Sequence, residues 1–514
     1  MNHAATNAET PAPNRQATME SVLRMHPGVQ DVAVVDDQRD GLTAFVIPED
    51  TYMKNVLGRA AAESSVLGKW RKIFDLSQLS KEATAASVGS NTAGWNSSYT
   101  RREIPLDEMR EWVKNTTANI LSLRPETVCE IGCGSGMLVL RIAPHCDRYL
   151  AVDFSAEALN RLRDQLLTLP ELATRVELME RRADDLHGLE EKAFNIVLIS
   201  SVVQFFPNLA YLTRVLESAA SLVKQGGHIY LADVRSLPLF QAFALSVELF
   251  QAADDLPVGD LRGRIHRRME REPELLLSPA FFFSLKERLP NISRVEIRPL
   301  RGRADNEMTR FRYDAILHVD GPSEVSFDDA FLDWTERKCT VDEIRSQLHQ
   351  HPQRTLALKH IANARIAKDL AAMAMLADAD AEIATGTWQR GLEPLRAPGI
   401  HPQDLLDLET EAGSGFAVFL SWAACRRDGS YDAIFIPKDL LQGTASPSIA
   451  WPMPEASACF NLAYAPGQIK LCNEILKQLE EHCSLNLPES TAVNMILVDR
   501  IPRAQDGTIS VMAG

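Results

Sequence analysis

The sequence predicts an α/β protein whose main domain is a mostly parallel sheet covered by helices on both faces. Three observations carry this expectation. From Leu106 onward, strand-like runs alternate with amphipathic helix-like runs; a glycine-rich turn follows the first of those strands; and two late runs, Arg294 to Arg298 and Tyr313 to Val319, suit an antiparallel finish. In order, the elements are a helix from Leu106 to Leu123, a strand from Thr127 to Ile131, the turn and a helix, and a strand from Tyr149 to Val152. A third strand ends before Arg182, a fourth covers Phe194 to Ser200, and others pass through Ile229 and Val295. Strands separated by helices must pair in parallel through crossovers, which buries both faces of the sheet.

The flanks read differently. Residues 1–17 are polar, rich in Ala, Asn and Pro, and are expected to be a disordered lead. Between Thr18 and Pro48, Met19, Val22 and Leu23 have helical spacing, while Val32 to Val35 and Leu42 to Ile47 form two strands around the turn segment Asp36 to Gly41. Residues 53–105 read as a linker or lid, with some helical pattern around Trp70 and Phe74 and a small-residue stretch from Ser80 to Gly94. The main domain is expected over 106–320 and a helical and α/β extension over 321–454. In that extension Ser326 to Ala377 reads mainly helical, Glu382 to Pro398 irregular, and Phe416 to Trp422 and Ala433 to Ile436 as strands. A helix from Gly467 to Cys483 and a strand from Ala492 to Val498 close the chain, and no internal repeat is found.

Composition excludes several classes. A chain of 514 residues with 45% hydrophobic content can bury a large core. Its formal charge of −15 argues against nucleic-acid binding driven by counterion release, and the cluster Arg262, Arg264, Arg267, Arg268 and Arg271 reads as a solvated helix face. The eight cysteines form no CxxC pair and have no His at zinc-ligand spacing, so no metal is expected. No apolar run approaches the ~18 residues of a membrane span. These features predict a cytoplasmic protein with reduced thiols and no membrane partner.

The turn Cys129-Glu130-Ile131-Gly132-Cys133-Gly134-Ser135-Gly136 lies between a strand and a helix. Its glycines allow a tight turn and close approach of backbone to a ligand, which makes a nucleotide-type pocket. The spacing is not the G-x-G-x-x-G of dinucleotide sites. Asp153, followed by Phe154 and Ser155, ends the next strand, where a carboxylate can accept from both hydroxyls of a ribose; Ser155 is the better helix cap. Ala183 and Asp184 leave the third strand in position for an adenine amino group. Ser201, Gln204 and Phe205 follow the fourth strand at the mouth of the site, where open α/β sheets bind ligands.

Longer runs carry a resemblance. Gly94-Trp95-Asn96-Ser97-Ser98-Tyr99-Thr100, Ile104-Pro105-Leu106, Met109-Arg110-Glu111-Trp112, the Glu-Ile-Gly-Cys-Gly segment, Ser201 to Pro207, Ala232-Asp233-Val234-Arg235 and Gly302 to Asp314 resemble the methyltransferase domains inserted into adenylation domains of nonribosomal peptide synthetases. The resemblance implies a Rossmann-like class I methyltransferase core with a mostly parallel seven-stranded sheet and S-adenosylmethionine as cofactor. Met19 to Pro48, with His26-Pro27-Gly28-Val29, and Leu487 to Ile509 resemble the two ends of an adenylation C-terminal subdomain. The expectation is therefore a small α+β subdomain made from residues 18–52 and 455–514. Where that subdomain carries a Gly-Lys pair, Gly507 is followed here by Thr508, so the remnant is degenerate and the chain reads as a stand-alone methyltransferase. No adenylation phosphate loop, carrier serine motif or condensation motif is found.

The resemblance also implies roles. S-adenosylmethionine carries an electrophilic methyl, transferred in line to a nucleophile held ~3 Å away, so positioning dominates catalysis. An amine nucleophile must be neutral, and Glu307 and Asp233 are the candidate bases, with Asn306 orienting the amine. Cofactor contacts are expected from Tyr99, Glu130, Gly132, Gly134, Gly136, Asp153, Phe154, Ala183, Asp184, Ser201 and Gln204. Tyr99 is expected to act as part of a lid; the family has Gly after Tyr-Thr where this chain has Arg101. Arg235 and Arg310 are expected to pair with a substrate carboxylate, with Tyr313 and Phe205 lining the pocket. Arg301 and Arg303 are further cationic candidates, and Phe281-Phe282-Phe283 reads as core.

The acceptor stays open between a small free amino acid, which is favoured, and an aminoacyl group on a carrier protein methylated in trans. Within the first, the acceptor atom is the amino nitrogen or a side-chain sulfur, with methionine S-methylation a specific candidate. A non-catalytic scaffold docked to a synthetase is the remaining reading. The stretch from Phe327 onward, with Asn363-Ala364-Arg365 and Gly399-Ile400-His401-Pro402, also matches the family and is expected to cover the site or make dimer contacts.

Overall fold

In a computed structural model of the chain, the alternating segment forms one seven-stranded sheet. The structure describes residues 15–37, 41–55, 59–79, 95–321, 326–392, 399–411, 413–441, 447–453, 461–487, 493–498 and 501. The strands are β1 (Thr127–Ile131), β2 (Arg148–Asp153), β3 (Val176–Glu180), β4 (Phe194–Ser200), β5 (Val223–Arg235), β6 (Ile292–Pro299) and β7 (Arg312–Val319). Across the sheet they run β3-β2-β1-β4-β5-β7-β6. Strands β1 to β5 are parallel, and β7 lies antiparallel between β5 and β6. The chain winds from β1 to one edge and then resumes at β4 on the other side of β1, which opens a crevice at the carboxyl ends of β1 and β4.

Period-two alternation puts the apolar residues of these strands on both faces. Val128, Tyr149, Ala151, Ile196 and Leu198 meet the helix Ala156–Leu167 through Leu159 and Leu162. Cys129, Leu150, Val152, Val197 and Ile199 meet the helix Leu209–Leu222 through Leu212, Val215 and Leu216. Each fully buried Leu or Val here is worth roughly 1.5–3 kcal/mol relative to exposure. The first helix starts where Ser155 caps it, its side chain accepting from the Ala158 amide at 3.2 Å.

Five further helices frame the site and are labelled in chain order: α1 (Arg59–Leu79), α2 (Leu106–Leu121), α3 (Phe240–Gln251), α4 (Val258–Glu270) and α5 (Ala367–Asp378). Helices α3, α4 and α5 share a cluster of Ala244, Leu245, Val258, Leu261, Ile265 and Ala372, with Trp388. The Phe triplet is core as expected: Phe281 and Phe282 are buried.

Several segments differ from expectation. Arg15 to Ala17 open a helix, Arg15–Arg24, and the rest of the expected lead lies outside the described residues. The expected linker over 53–105 contains the long helix α1, while Ser80 to Gly94 lies outside the described residues. The segment expected to be mainly helical holds the strand Leu356–Ile361, which pairs antiparallel with Tyr431–Pro437 inside a four-stranded sheet. Its Leu, Ala and Lys content favours a helix, and cross-strand pairing overrides that local preference. Thr385–Leu392, expected to be irregular, is helical and packs Trp388 against α4.

The chain divides into two compact units, one comprising residues 1–64, 455–461 and 467–514, the other 65–454 and 462–466. In the smaller, Val29–Asp37 pairs antiparallel with Gly41–Pro48, which pairs in parallel with Val493–Leu497. Met19, Leu23, Val32, Val34, Ala44 and Val46 pack with Ile475 and Leu479 from the helix Pro466–Asn486. Both chain ends thus contribute to one small sheet, while Gly507 and Thr508 lie outside the described residues.

Arg365 explains why the Asn-Ala-Arg run matters. Its guanidinium is buried and donates to the carbonyls of Leu300 (2.7 Å), Thr309 (3.0 Å) and Gly302 (2.6 Å), bracketing the loop that precedes β7. Glu111 on α2 holds the same loop by accepting from the amides of Arg303 (2.9 Å) and Ala304 (2.8 Å). Replacing Arg365 by Met leaves three carbonyls without their donor, and a loss of about 3 kcal/mol is expected in chemical denaturation. An unchanged midpoint would show that the loop holds itself.

Candidate functional site

The crevice at the carboxyl ends of β1, β2, β4 and β5 gathers most of the expected site residues. After β1 the chain turns sharply, with Gly132, Gly134 and Gly136 at φ of +79°, +52° and +82°. A Cβ on Gly132 would lie 2.4 Å from Val202 Cγ2, and one on Gly136 2.3 Å from Leu162 Cδ1, so both positions require glycine for space as well as conformation. Asp153 at the end of β2 is buried; its Oδ2 accepts from the Gly134 amide and its Oδ1 from the Ser155 amide, each at 2.8 Å. Burial pushes its carboxyl up to about 6, against the backbone amides that favour the charged form. Glu130 lies beneath, accepting from Tyr149 Oη at 2.7 Å, and burial raises it to about 8.

Helix α1 contributes three side chains to this crevice that the sequence did not single out as site residues. Phe74 stacks near Phe154 with ring centroids 6.5 Å apart, and its Cζ would be 3.5 Å from a Cβ on Gly134. Asp75 Oδ1 accepts from Ser155 Oγ at 2.6 Å, and Trp70 packs on Phe205 at 4.7 Å between centroids.

Beyond β4 and β5 the site becomes ionic. Asp233 and Ser201 both adopt left-handed backbone, with φ of +64° and +55°, a conformation costing roughly 1–3 kcal/mol for a residue with a side chain. Ser201 Oγ donates to Asp233 Oδ2 at 2.8 Å, and Arg312 Nη1 donates to the same oxygen at 2.7 Å. Arg312 also reaches Glu307 Oε1 at 3.4 Å. Glu307 in turn accepts from the Ser98 amide at 2.6 Å and from Ser98 Oγ at 3.0 Å. Burial raises the Asp233 carboxyl, with Arg312 opposing the rise; burial disfavours the Arg312 charge, yet Asp233 and Glu307 hold its guanidinium above its ordinary value. Among the described residues, the buried atoms Asp233 Oδ1, Gln204 Oε1 and Ser200 Oγ have no hydrogen-bond partner. Such orphans at one crevice fit a ligand that donates hydrogen bonds there.

The remaining expected residues are placed as follows. Ala183 is half-buried, and Asp184 beside it is held by Arg182 through two bonds of 3.0 Å and by Tyr211 Oη at 2.9 Å. Tyr99 Oη meets Ser246 Oγ at 2.9 Å and accepts from Arg310 Nη1 at 3.2 Å; burial pushes the phenol up to about 12. Asn306 caps the short helix Glu307–Phe311, its Oδ1 accepting from Met308 and Thr309 amides and its Nδ2 donating to Glu108 at 2.8 Å. Its side chain therefore positions Glu307. Tyr313 is fully buried with its hydroxyl on the Leu277 carbonyl at 3.0 Å, so it is core rather than pocket lining. Arg235 is committed to Glu272 at 2.6 Å and Glu274 at 2.8 Å, and Arg310 pairs with Asp369. The Arg235 guanidinium is thus taken by two carboxylates, whereas Arg310 keeps one buried donor, Nε, without a hydrogen-bond partner. Arg312, Glu272 and Glu274 were missed, although Arg312 stands inside the Arg310-to-Tyr313 run. The three alternate with apolar neighbours in a way that a solvated strand end also shows. Among the described residues no cluster of His, Cys, Asp and Glu could hold a metal, and no helix is long and apolar enough to cross a membrane.

Comparison with known proteins agrees with this construction. A family described as a methyltransferase domain matches residues 129–229, which run from β1 into β5. Chondramide synthase of Chondromyces crocatus is 35% identical over 510 residues, covering 96% of this chain and 13% of that protein. Beauvericin nonribosomal cyclodepsipeptide synthetase of Beauveria bassiana is 32% identical over 62% of this chain and 10% of its own length. The chain therefore spans about an eighth or less of these relatives. A solved N-methyltransferase, NodS from Bradyrhizobium japonicum with S-adenosyl-l-homocysteine, is 14% identical over 40% of this chain and 86% of its own, with a TM-score of 0.29. The strand order is that of a class I methyltransferase core, and the methyltransferase-domain match falls on the strands that build it. Within that class, the chain is similar over 96% of its length to one segment of a nonribosomal peptide synthetase and over 62% to a segment of another.

Removing the shared cation should expose the ionic design. In Arg312→Met, Asp233 and Glu307 lose their common partner inside the protein, and about 3–5 kcal/mol of stability should be lost at neutral pH. The deficit should shrink as pH falls and Asp233, whose carboxyl burial raises, takes up a proton. A pH-independent deficit in denaturation would count against the pairing.

Proposed function

We propose that the chain transfers the methyl group of S-adenosylmethionine to the amino nitrogen of an aminoacyl group whose carboxyl is masked, as in a thioester on a carrier protein. The observation that carries this reading is the ionic state of the acceptor side. Asp233 presents a buried carboxylate oxygen without a partner, whereas Arg235 is held by two carboxylates and Arg310, apart from its Nε, by Asp369 and Tyr99. Such a lining suits an N–H donor better than a free carboxylate. The names of the relatives, synthetases of nonribosomal peptides, point the same way. A free amino acid, with methionine sulfur as one acceptor, is the second reading; buried carboxylates also suit a product sulfonium.

The residues divide the work. Gly132 to Gly136 let the backbone approach the cofactor, Asp153 receives its ribose hydroxyls, and Ala183 and Asp184 face its adenine. Gln204 Oε1 is a free acceptor toward its polar end, and Tyr99 lies at the cofactor's edge. S-adenosylmethionine supplies the electrophilic methyl. Asp233, paired with Arg312, accepts a hydrogen bond from the amine and aims its lone pair. Glu307 is fixed by Ser98 and takes the proton released on methylation, directly or through Ser98 Oγ.

The decisive assay incubates the chain and cofactor with an aminoacyl carrier thioester and, separately, with free amino acids, reading products by mass spectrometry. One added methyl on the amine of the thioester is expected. Methylated sulfur on free methionine with an intact primary amine would overturn the nitrogen assignment. Glu307→Gln should lower turnover by about 100-fold or more while leaving cofactor affinity within about twofold.

Asp153 also predicts a pH dependence. A carboxyl raised to about 6 is neutral below that pH and charged above it, so the affinity it supplies is present above 6 and lost below. Titration calorimetry with S-adenosylhomocysteine should show about tenfold tighter binding at pH 7 than at pH 5. In Asp153→Asn binding should be weaker and this slope absent; an unchanged slope would remove the ribose role.

A further inference from the structure

Helix α4 and the turn after Tyr99 border an open cavity of about 400 Å³ lined by Arg101, Arg264, Arg267, Arg268 and Arg271, of which Arg101, Arg267 and Arg271 are exposed. Two carboxylates, Glu248 and Glu272, share it, so five guanidiniums face two carboxylates in a chain whose formal charge is −15. The arginines are not equivalent. Arg264 and Arg268 clamp Glu248 at 2.7 and 2.6 Å, and Glu272 is committed to the buried Arg235. Among the described residues, Arg101, Arg267 and Arg271 have no carboxylate partner, and the Arg101 guanidinium reaches only Gln251 Oε1 at 3.4 Å. Arg262, by contrast, lies outside the cavity and donates to the Leu376 and Ala379 carbonyls at the end of α5. Arg267 and Arg271 are exposed, as expected of a solvated face, while Arg264 and Arg268 clamp Glu248 and Arg262 holds the end of α5.

Arg101 adds an independent observation. It sits at φ +57°, where a side chain is disfavoured and glycine is at ease. The turn therefore carries backbone strain at the residue that places a guanidinium in the cavity. The cavity also adjoins the acceptor side. Gln251, which lines it, donates to the carbonyls of Ser98 at 2.8 Å and Tyr99 at 2.9 Å, and Ser98 is the residue that fixes Glu307.

We propose that this cavity binds the phosphate of an acceptor's handle, a phosphoester whose far end delivers the aminoacyl group to Glu307 and Asp233. Guanidinium forks match phosphate oxygens, and three unpaired forks beside two that share one carboxylate leave a net cationic pocket for one dianionic or monoanionic group. The proposal deepens the carrier-bound reading and rests on it for the position of the acceptor, but its test is binding and needs no methyl transfer.

Phosphopantetheine and pantetheine differ only in a phosphate and serve as matched probes, with inorganic phosphate as the third. In calorimetry on the full chain, phosphopantetheine should bind at least tenfold more tightly than pantetheine, and its affinity should fall as salt rises. Arg101→Gly relieves the backbone strain while removing one guanidinium, so it should fold at least as well as the parent. It should weaken phosphopantetheine at least fivefold and leave S-adenosylhomocysteine affinity unchanged. Arg267→Ala should behave alike. Equal affinity for the two pantetheines, or no change in either variant, would overturn the site. Inorganic phosphate binding as tightly as the ester would assign the cavity to the free ion and overturn the handle. Methylation of a free amino acid together with intact phosphoester binding would fail the carrier-bound reading alone.

Discussion

The Arg312 guanidinium ties together the pieces on which the acceptor side depends. It leaves β7 and reaches Asp233 at the end of β5 and Glu307 at the start of the adjacent short helix. Three charges this deeply buried are tolerable only as a set, because each one alone would lack compensation. Asp314, two residues on, accepts from the Asp233 amide at 3.0 Å and from Tyr230 Oη at 2.7 Å, so the left-handed turn at Asp233 is held from below as well. The antiparallel insertion of β7 between β5 and β6 is what brings Arg312 and Asp314 to this position. A purely parallel sheet would leave the end of β5 without a neighbour that points toward it.

Strain and unsatisfied polarity coincide at the same place. Ser201 and Asp233 are both left-handed, they are bonded to each other, and the free oxygen of Asp233 is buried. A fold selected only for stability would remove at least one of these costs. Their concentration at the crevice, with Gln204 and Ser200 beside them, is the physical signature of a site shaped for something that brings donors of its own.

The geometry of the glycine turn and of Asp153 was legible because its constraints are local. Glycines at three alternate positions after a strand, and a carboxylate at the end of the next strand, follow from backbone geometry that sequence displays directly. The acceptor half was less legible. Asn306 and Glu307 were found through a long resemblance, but their division into cap and carboxylate depends on Glu108 and Ser98, both about 200 residues away in the chain. Arg235 and Arg310 looked available because sequence shows a guanidinium and not its partner; Glu272, Glu274 and Asp369 are supplied by folding. Tyr313 went to the core because β7 has two faces, and Arg312 and Asp314 occupy the other. Leu356–Ile361 was hidden by helix-forming residues whose strand state is decided by Tyr431–Pro437, more than seventy residues downstream.

The segment Ser97 to Arg101 then acquires a meaning that neither half gives it alone. Its backbone is held on one side by Glu307 through Ser98 and on the other by Gln251 through the carbonyls of Ser98 and Tyr99. Its end places Arg101 in the arginine-lined cavity. Tyr99, between them, is fixed by Ser246 and Arg310, and Arg310 is fixed by Asp369 on α5. A few residues thus join Glu307, Tyr99 and Arg101. Because both anchors grip the same backbone, displacement at Arg101 cannot leave Ser98 unmoved without breaking the Gln251 bonds. Arginine at this left-handed turn is therefore coupled to the Ser98 and Glu307 contacts, while the glycine turn and Asp153 are governed by a separate set of contacts.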